Sequence, residues 1–316
     1  MTAEVLLYVG EPLARYCFPA GHPFSIDRQR AFWDEALRQN LAQRVQVLAP
    51  RIATREELLR FHSRRYLETV EDLSIRGAGC LDYGDTPAFP GMFEAASAIA
   101  GTALDGLERI MSGLTRRTFQ PVGGLHHARA DEAAGFCVVN DLAIAIRSLR
   151  ERHGVQRVAY VDIDVHHGDG VFYAFERDPD LIFADIHEDG RYLYPGTGHA
   201  DETGAGEAAG TKLNAPLLPR AGDPQFFAAW ERVLDHLLRH RPEFILFQCG
   251  ADSLRGDPLG HLQLTPAAHA HATRTLCDFA DRHCGGRIMA FGGGGYALNN
   301  VAAGWCAVLR EMLRTD

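Results

Sequence analysis

The sequence has no long apolar run. Nowhere does it offer the ~18 to 20 consecutive apolar residues that cross a bilayer, and its opening, Met1-Thr-Ala-Glu-Val-Leu-Leu-Tyr-Val-Gly10, lacks the basic start and extended apolar core of a secretory leader. A membrane-spanning or exported chain is therefore not expected, and a cytoplasmic one is. Positive charge is also scarce: 32 Lys and Arg against 41 Asp and Glu leave a net charge of −9. A broad nucleic-acid-binding face is not expected, while a cationic substrate is tolerated or mildly attracted. The seven cysteines include no CxxC pair, and their odd number does not make a disulfide framework, so a reducing compartment fits better. No internal repeat, low-complexity segment or linker-like stretch appears, and residues 1–316 are expected to form one domain.

What the chain does have is alternation. Short apolar runs at residues 5–9, 45–48, 157–162, 181–186, 243–249 and 287–291 read as strands. Between them lie segments with helical spacing at 28–39, 92–111, 140–153, 171–177, 224–240, 266–283 and 301–313. Thr54-Arg-Glu-Glu57 reads as a capping box opening a helix through Leu58, Leu59 and Phe61, and Thr265 as an N-cap. Residues 75–91, dense in Gly and Pro, read as a long loop. Strand–helix alternation over the whole length predicts an α/β fold, a mostly parallel sheet covered by helices on both faces.

Polar clusters follow the apolar runs. In Asp162-Ile-Asp-Val-His-His-Gly-Asp-Gly170 a period of two places Asp162, Asp164 and His166 on one side of an extended backbone. Burying two carboxylates together is costly unless a cation compensates, so a divalent metal is expected. The bland alternative is a strand end whose carboxylates cap the next helix. Gly123-Gly-Leu-His-His127, Cys249-Gly-Ala-Asp252 and Gly292-Gly-Gly-Gly-Tyr296 are the other clusters. Each has a plain structural reading when taken singly: a His-His pair is most often a satisfied core or surface pair, and four glycines before a Tyr suit a tight turn. Together they supply a metal hydrolase. Asp164, His166 and Asp252 make a three-ligand oxygen and nitrogen set with a coordination position left open, and Asp162 and Asp169 are free to orient the imidazoles of His126 and His127.

These segments, with His22-Pro-Phe-Ser-Ile-Asp-Arg-Gln-Arg30, Phe61-His62, Tyr66-Leu67, Asp85-Thr-Pro-Ala-Phe-Pro-Gly91, Gly135-Phe-Cys-Val-Val-Asn140 and Pro195-Gly-Thr-Gly198, run in the order found in the histone deacetylase superfamily. The chain resembles that family, and within it the bacterial acetoin utilisation proteins. The resemblance implies a single-domain arginase/deacetylase-like fold and a zinc ion, with iron as the other candidate, on Asp164, His166 and Asp252. It implies tandem histidines His126 and His127 backed by Asp162 and Asp169, and Tyr296 polarising the amide carbonyl. Gly135, Phe136 and Tyr194 are implied as tunnel walls, with Gly294 beside them, Asp85 at the rim and Arg28 in an exit pocket. A potassium ion is implied at Asp162, Asp164, His166, Asp185 and Ile186. Two departures stand out: Asp185 replaces a common serine and Tyr194 a usual phenylalanine. Leu259 falls where polyamine-selective relatives carry an acidic gatekeeper. An acetyl-lysine protein or peptide is therefore expected as substrate ahead of an acetylpolyamine or other small acetylated amine. A binuclear arginase-type hydrolase and a catalytically silent binding protein are the alternatives from other classes.

Overall fold

The computed structural model describes residues 5–314; residues 1–4 of the opening segment and the terminal pair 315–316 lie outside it. Its sheet has eight strands: β1 (Val5–Tyr8), β2 (Gln46–Leu48), β3 (Arg117–Gln120), β4 (Val158–Asp162), β5 (Leu181–Asp185), β6 (Lys212–Asn214), β7 (Phe244–Gln248) and β8 (Ile288–Phe291). They lie in the order β2-β1-β3-β8-β7-β4-β5-β6, and every pairing is parallel. A parallel sheet covered on both faces needs strands apolar on both sides. In β7, Phe244 and Leu246 pack with one core layer, which includes helices Met92–Met111 and Asp141–His153, while Ile245 and Phe247 pack with the other, against Phe226, Trp230 and Leu276. Among the described residues, no helix is long and apolar enough to cross a membrane. All seven cysteines are free.

Several expectations needed correction. The helix opened by Thr54 lasts only from Arg55 to Leu58, with the expected capping box in place. A second helix, Arg64–Arg76, starts under its own cap, Ser63, whose hydroxyl accepts the Tyr66 N–H at 3.3 Å, and it takes up the first residues of the expected loop. β3 and β6 were not marked by the spacing, because polar residues stand at both ends of each. The expected helix at 171–177 runs instead over Asp169–Ala174. Most consequentially, the ladder of β4 ends at Asp162. Beyond it the chain bends, because the Asp162 carboxylate accepts the Asp164 N–H at 2.9 Å and the Asp164 carboxylate accepts the His166 N–H at 3.0 Å. The three polar side chains converge through these carboxylate-capped turns rather than along one extended strand.

Buried neutral histidines make the fold sensitive to acid. Neutral His62 is fully satisfied, with Nε2 accepting the Asn140 N–H at 2.9 Å and Nδ1 donating to the Ala130 carbonyl. Burial lowers it from 6.5 to about 4. A histidine depressed in the folded state contributes stability that is complete above the unfolded value and is lost as pH falls from about 6.5 to about 4, at most ~3 kcal/mol for this residue. The melting temperature is expected to fall across that window, and less steeply in His62→Gln. An equal slope in the variant would remove His62 as a source.

Candidate active site

The four polar clusters are remote in sequence but follow β3, β8, β7 and β4, which are neighbours in the sheet. Ligands in open parallel sheets bind beyond the carboxyl ends of the strands, and there His126, His127, Asp164, His166, Gly294 and Tyr296 line one narrow cavity.

At its floor, ligand atoms of Asp164, His166 and Asp252 lie within 4.8 Å of one another, all three residues buried. His166 Nδ1 is 3.1 Å from Asp164 Oδ1 and 3.3 Å from Asp252 Oδ2. Backbone N–H groups hold both carboxylates: Asp252 Oδ1 accepts that of Val165 at 3.0 Å, while Asp164 accepts that of His166 on Oδ1 at 3.0 Å and that of Gly294 on Oδ2 at 2.8 Å. Asp252 Oδ2 is buried without any hydrogen bond, and burial, with Asp164 next, raises its carboxyl to about 7. Crowded buried carboxylates, an imidazole and an orphaned oxygen fit a divalent cation. Glycine is needed around them, since a Cβ on Gly294 would meet Asp252 Oδ2 at 2.0 Å and one on Gly250 would meet Asp164 Oδ2 at 2.1 Å.

Beside this trio, His126 Nδ1 donates to Asp162 Oδ2 at 2.8 Å and His127 Nδ1 to Asp169 Oδ1 at 2.7 Å. Their Nε2 atoms are 3.1 Å apart. With both Nδ1 protons committed to carboxylates, the Nε2 positions are the ones left to exchange protons in the cavity. Burial and then His126 lower His127 to about 4, so it stands neutral and able to accept a proton. Arg129 donates to the other oxygen of Asp169 at 3.3 Å.

Of the residues expected as tunnel walls, Gly135 lines the cavity, whereas Phe136 and Tyr194 do not and stand next to its lining residues. Gly135 and Phe136 both have left-handed backbone, with φ of 52° and 67°, and a Cβ at Gly135 would sit 2.4 Å from His127 Cδ2. Phe136 is held in that unfavourable conformation from both sides: its N–H donates to Thr86 Oγ1 at 3.1 Å and its carbonyl accepts the Tyr16 hydroxyl at 2.6 Å. Its ring meets Tyr296 edge to face at 5.7 Å. Tyr194 meets His127 in the same way at 5.2 Å. Tyr296 is partly buried, and burial followed by Asp252 and Asp164 holds its hydroxyl well above the ordinary value, so that it remains a donor.

Not every expected residue joins the cavity. Asp85 is exposed, in an outer vestibule with Arg129, Asp169 and Tyr194. Leu259 is half-buried in a neighbouring loop and is not among the cavity's lining residues. Arg28 is buried against Phe24, Tyr296 and Trp305, with one guanidinium nitrogen unpartnered. Asp185 ends β5 opposite Asp162, and the N–H of Ile186, the next residue, donates to the Asp162 carbonyl at 3.0 Å. Both Asp185 oxygens are engaged, by His187 Nδ1 at 2.7 Å and by the Gly168 N–H at 2.8 Å. Burial pushes the thiols of Cys137 and Cys249 well up, which makes them poor nucleophiles.

Supporting residues had escaped sequence reasoning. Gln248 Nε2 donates to Asp164 Oδ2 at 2.8 Å, and Asp82 gathers the N–H groups of Gly84, Asp85 and Thr86 on one oxygen. A lone polar residue closing the apolar run of β7 was the available signal for Gln248; for Asp82 there was none beyond loop composition.

Residues 22–312 match the histone deacetylase domain. The chain is 37% identical to the acetoin utilization protein AcuC of Bacillus subtilis (strain 168) over 313 residues, which is 95% of this chain and 80% of that one. It is 36% identical to the histone deacetylase-like amidohydrolase of Pseudomonas aeruginosa, with 93% and 77% covered, and 34% identical to histone deacetylase clr6 of Schizosaccharomyces pombe, with 96% and 75% covered. Among solved structures, the HDA15 HD domain superposes with a TM-score of 0.91 at 30% identity, covering 99% of this chain and 89% of that one.

Proposed function

Since the chain belongs to the histone deacetylase family, whose members hydrolyse amide bonds, we propose that it removes acetyl groups from lysine side chains of proteins or peptides with a zinc ion held by Asp164, His166 and Asp252. The observation that carries this reading is one narrow cavity lined by two carboxylate-backed histidines, a protonated tyrosine, Asp164 and His166, with buried Asp252 completing the Asp-His-Asp trio. Zinc, or iron as the alternative, would be held by Asp164, His166 and Asp252 and would supply Lewis acidity to the carbonyl and to a water. The protein's groups do the rest. His127 Nε2 takes the water's proton and returns one to the leaving amine, while His126 shares the charge. Tyr296 donates to the developing oxyanion. Gly135, Phe136 and Tyr194 would flank an extended alkyl chain on its way to the metal, and Asp85, in the outer vestibule, would meet a substrate's backbone. The reading also carries a potassium ion near Asp162, Asp164, His166, Asp185 and Ile186. With Asp185 committed to His187 and Gly168, backbone carbonyls would have to supply most of its ligands.

The arginase-type alternative needs Asp162 as a second metal's ligand, and Asp162 is occupied by His126, the Tyr160 hydroxyl and the Asp164 N–H. Among the described residues, Asp164, His166 and Asp252 form the one cluster that could hold a metal.

From outside the cavity, Leu259 would act on the choice of substrate only through a part of the substrate that extends beyond it. It offers no charge to a distant ammonium, so an acetyl-lysine peptide should be hydrolysed with higher kcat/KM than acetylspermidine, and Leu259→Glu should narrow the difference by raising the polyamine rate several-fold. A wild-type preference for acetylspermidine would reverse the assignment.

A further inference from the structure

The loop that carries Tyr296 is gripped by opposite charges. Buried Arg28 donates from Nε to the Gly295 carbonyl at 2.8 Å and from Nη2 to the Gly293 carbonyl at 2.5 Å. Asp257, 6% exposed, accepts through Oδ2 from the N–H groups of Tyr296 at 2.7 Å and Ala297 at 3.1 Å, and through Oδ1 from the Leu259 N–H at 3.0 Å. The Gly295 carbonyl and the Tyr296 N–H are two ends of a single planar peptide unit. A cation on one end and an anion on the other fix the rotation of that plane, and with it the direction in which the Tyr296 side chain leaves the backbone. Gly295 cannot fix it alone, because glycine at φ 123° is free to rotate. A tyrosine hydroxyl is a long lever: a backbone rotation of roughly 10° carries it about 1 Å, a misplacement that can cost ~10²-fold in rate.

We propose that Asp257 is a positioning residue for Tyr296, fixing the peptide that aims the hydroxyl into the cavity. Through its other oxygen it ties this loop to the one carrying Leu259, so that the proton donor and a loop outside the cavity share one buried anchor. The inference rests on the reading above, in which Tyr296 acts on the substrate carbonyl. Asparagine at 257 retains a single acceptor and presents an N–H₂ to one of the two groups of N–H donors, so at least one set must let go.

The test is a double-mutant cycle on the zinc-loaded enzyme with an acetyl-lysine peptide, comparing wild type, Asp257→Asn, Tyr296→Phe and the double variant. KM, bound zinc and melting temperature are followed alongside kcat. Asp257→Asn should lower kcat by about 10- to 10²-fold, with KM and zinc content within about twofold of wild type. In the Tyr296→Phe background the same change should lower kcat by no more than about twofold, because the hydroxyl it aims is already gone. Equal losses in the two backgrounds, or an undiminished kcat in Asp257→Asn, would overturn the inference and leave the proposed function standing. Unfolding of Asp257→Asn and Asp257→Ala would likewise overturn it, in favour of a purely structural anchor. If Tyr296→Phe itself kept the wild-type rate, the reading of the site would fall together with the inference.

Discussion

Replacing Tyr296 by phenylalanine is expected to lower kcat by about 10² to 10³-fold while changing KM little, as for the loss of one oxyanion donor. The ring lines the cavity with His126, His127, Asp164 and His166 and is packed edge to face on Phe136. Phenylalanine keeps that packing and removes only the hydroxyl. The neighbouring Asp164 and Asp252, together with burial, hold the phenol in its protonated form, so the group lost is a donor whose bond strengthens as charge gathers on the carbonyl oxygen. Interactions made chiefly in the transition state appear in kcat and not in ground-state binding. Steady-state kinetics with an acetyl-lysine peptide decide the matter: a variant with near wild-type kcat, or one impaired only in KM, would show that Tyr296 has another role.

Chelation has the other large effect. A protein stripped of metal should lose all measurable deacetylation and recover it when one equivalent of zinc per chain is restored. Its melting temperature should fall too. A ligand present at a thousand times its dissociation constant contributes about 4 kcal/mol to the folded state, which for a chain of this length is a shift of about 6 °C. The physical cause is visible in the donor set: without a cation, Asp164 and Asp252 crowd one buried imidazole and the Asp252 carboxyl is lifted to about 7. Elemental analysis with calorimetry and an activity assay follows all three consequences. Full activity in protein verified to be metal-free would end the hydrolase mechanism proposed above.

The apolar periodicity of the chain was enough to predict a parallel α/β sheet, because strands buried on both faces must be apolar throughout, and six of the eight strands were legible in that way. β3 and β6 were not. Arg117–Gln120 carries polar residues at both ends and Lys212–Asn214 holds a single apolar residue between two polar ones, so neither offers a run that stands out from its surroundings. The polar clusters were legible for a related reason: carboxylates and histidines at the ends of apolar runs are anomalous unless they have work to do. What misled was the extrapolation of strand geometry past Asp162, where carboxylate-to-backbone bonds bend the chain and aim Asp164 and His166 by a different route.

The sequence by itself determined the layer architecture, the chemical kinds of group at the strand ends and the membership that their order reveals, since each follows from local pattern and residue type. Only the tertiary structure decided that β3, β8, β7 and β4 lie side by side, which brings His127, Tyr296, Asp252 and Asp164 to one place from across the chain. It alone decided that Asp185 is occupied by His187, that Leu259 lies outside the cavity, and that Asp257 grips the loop of Tyr296. Such pairings depend on which loops meet in space, and a hydrogen bond between groups far apart along a chain leaves no periodicity for the sequence to display.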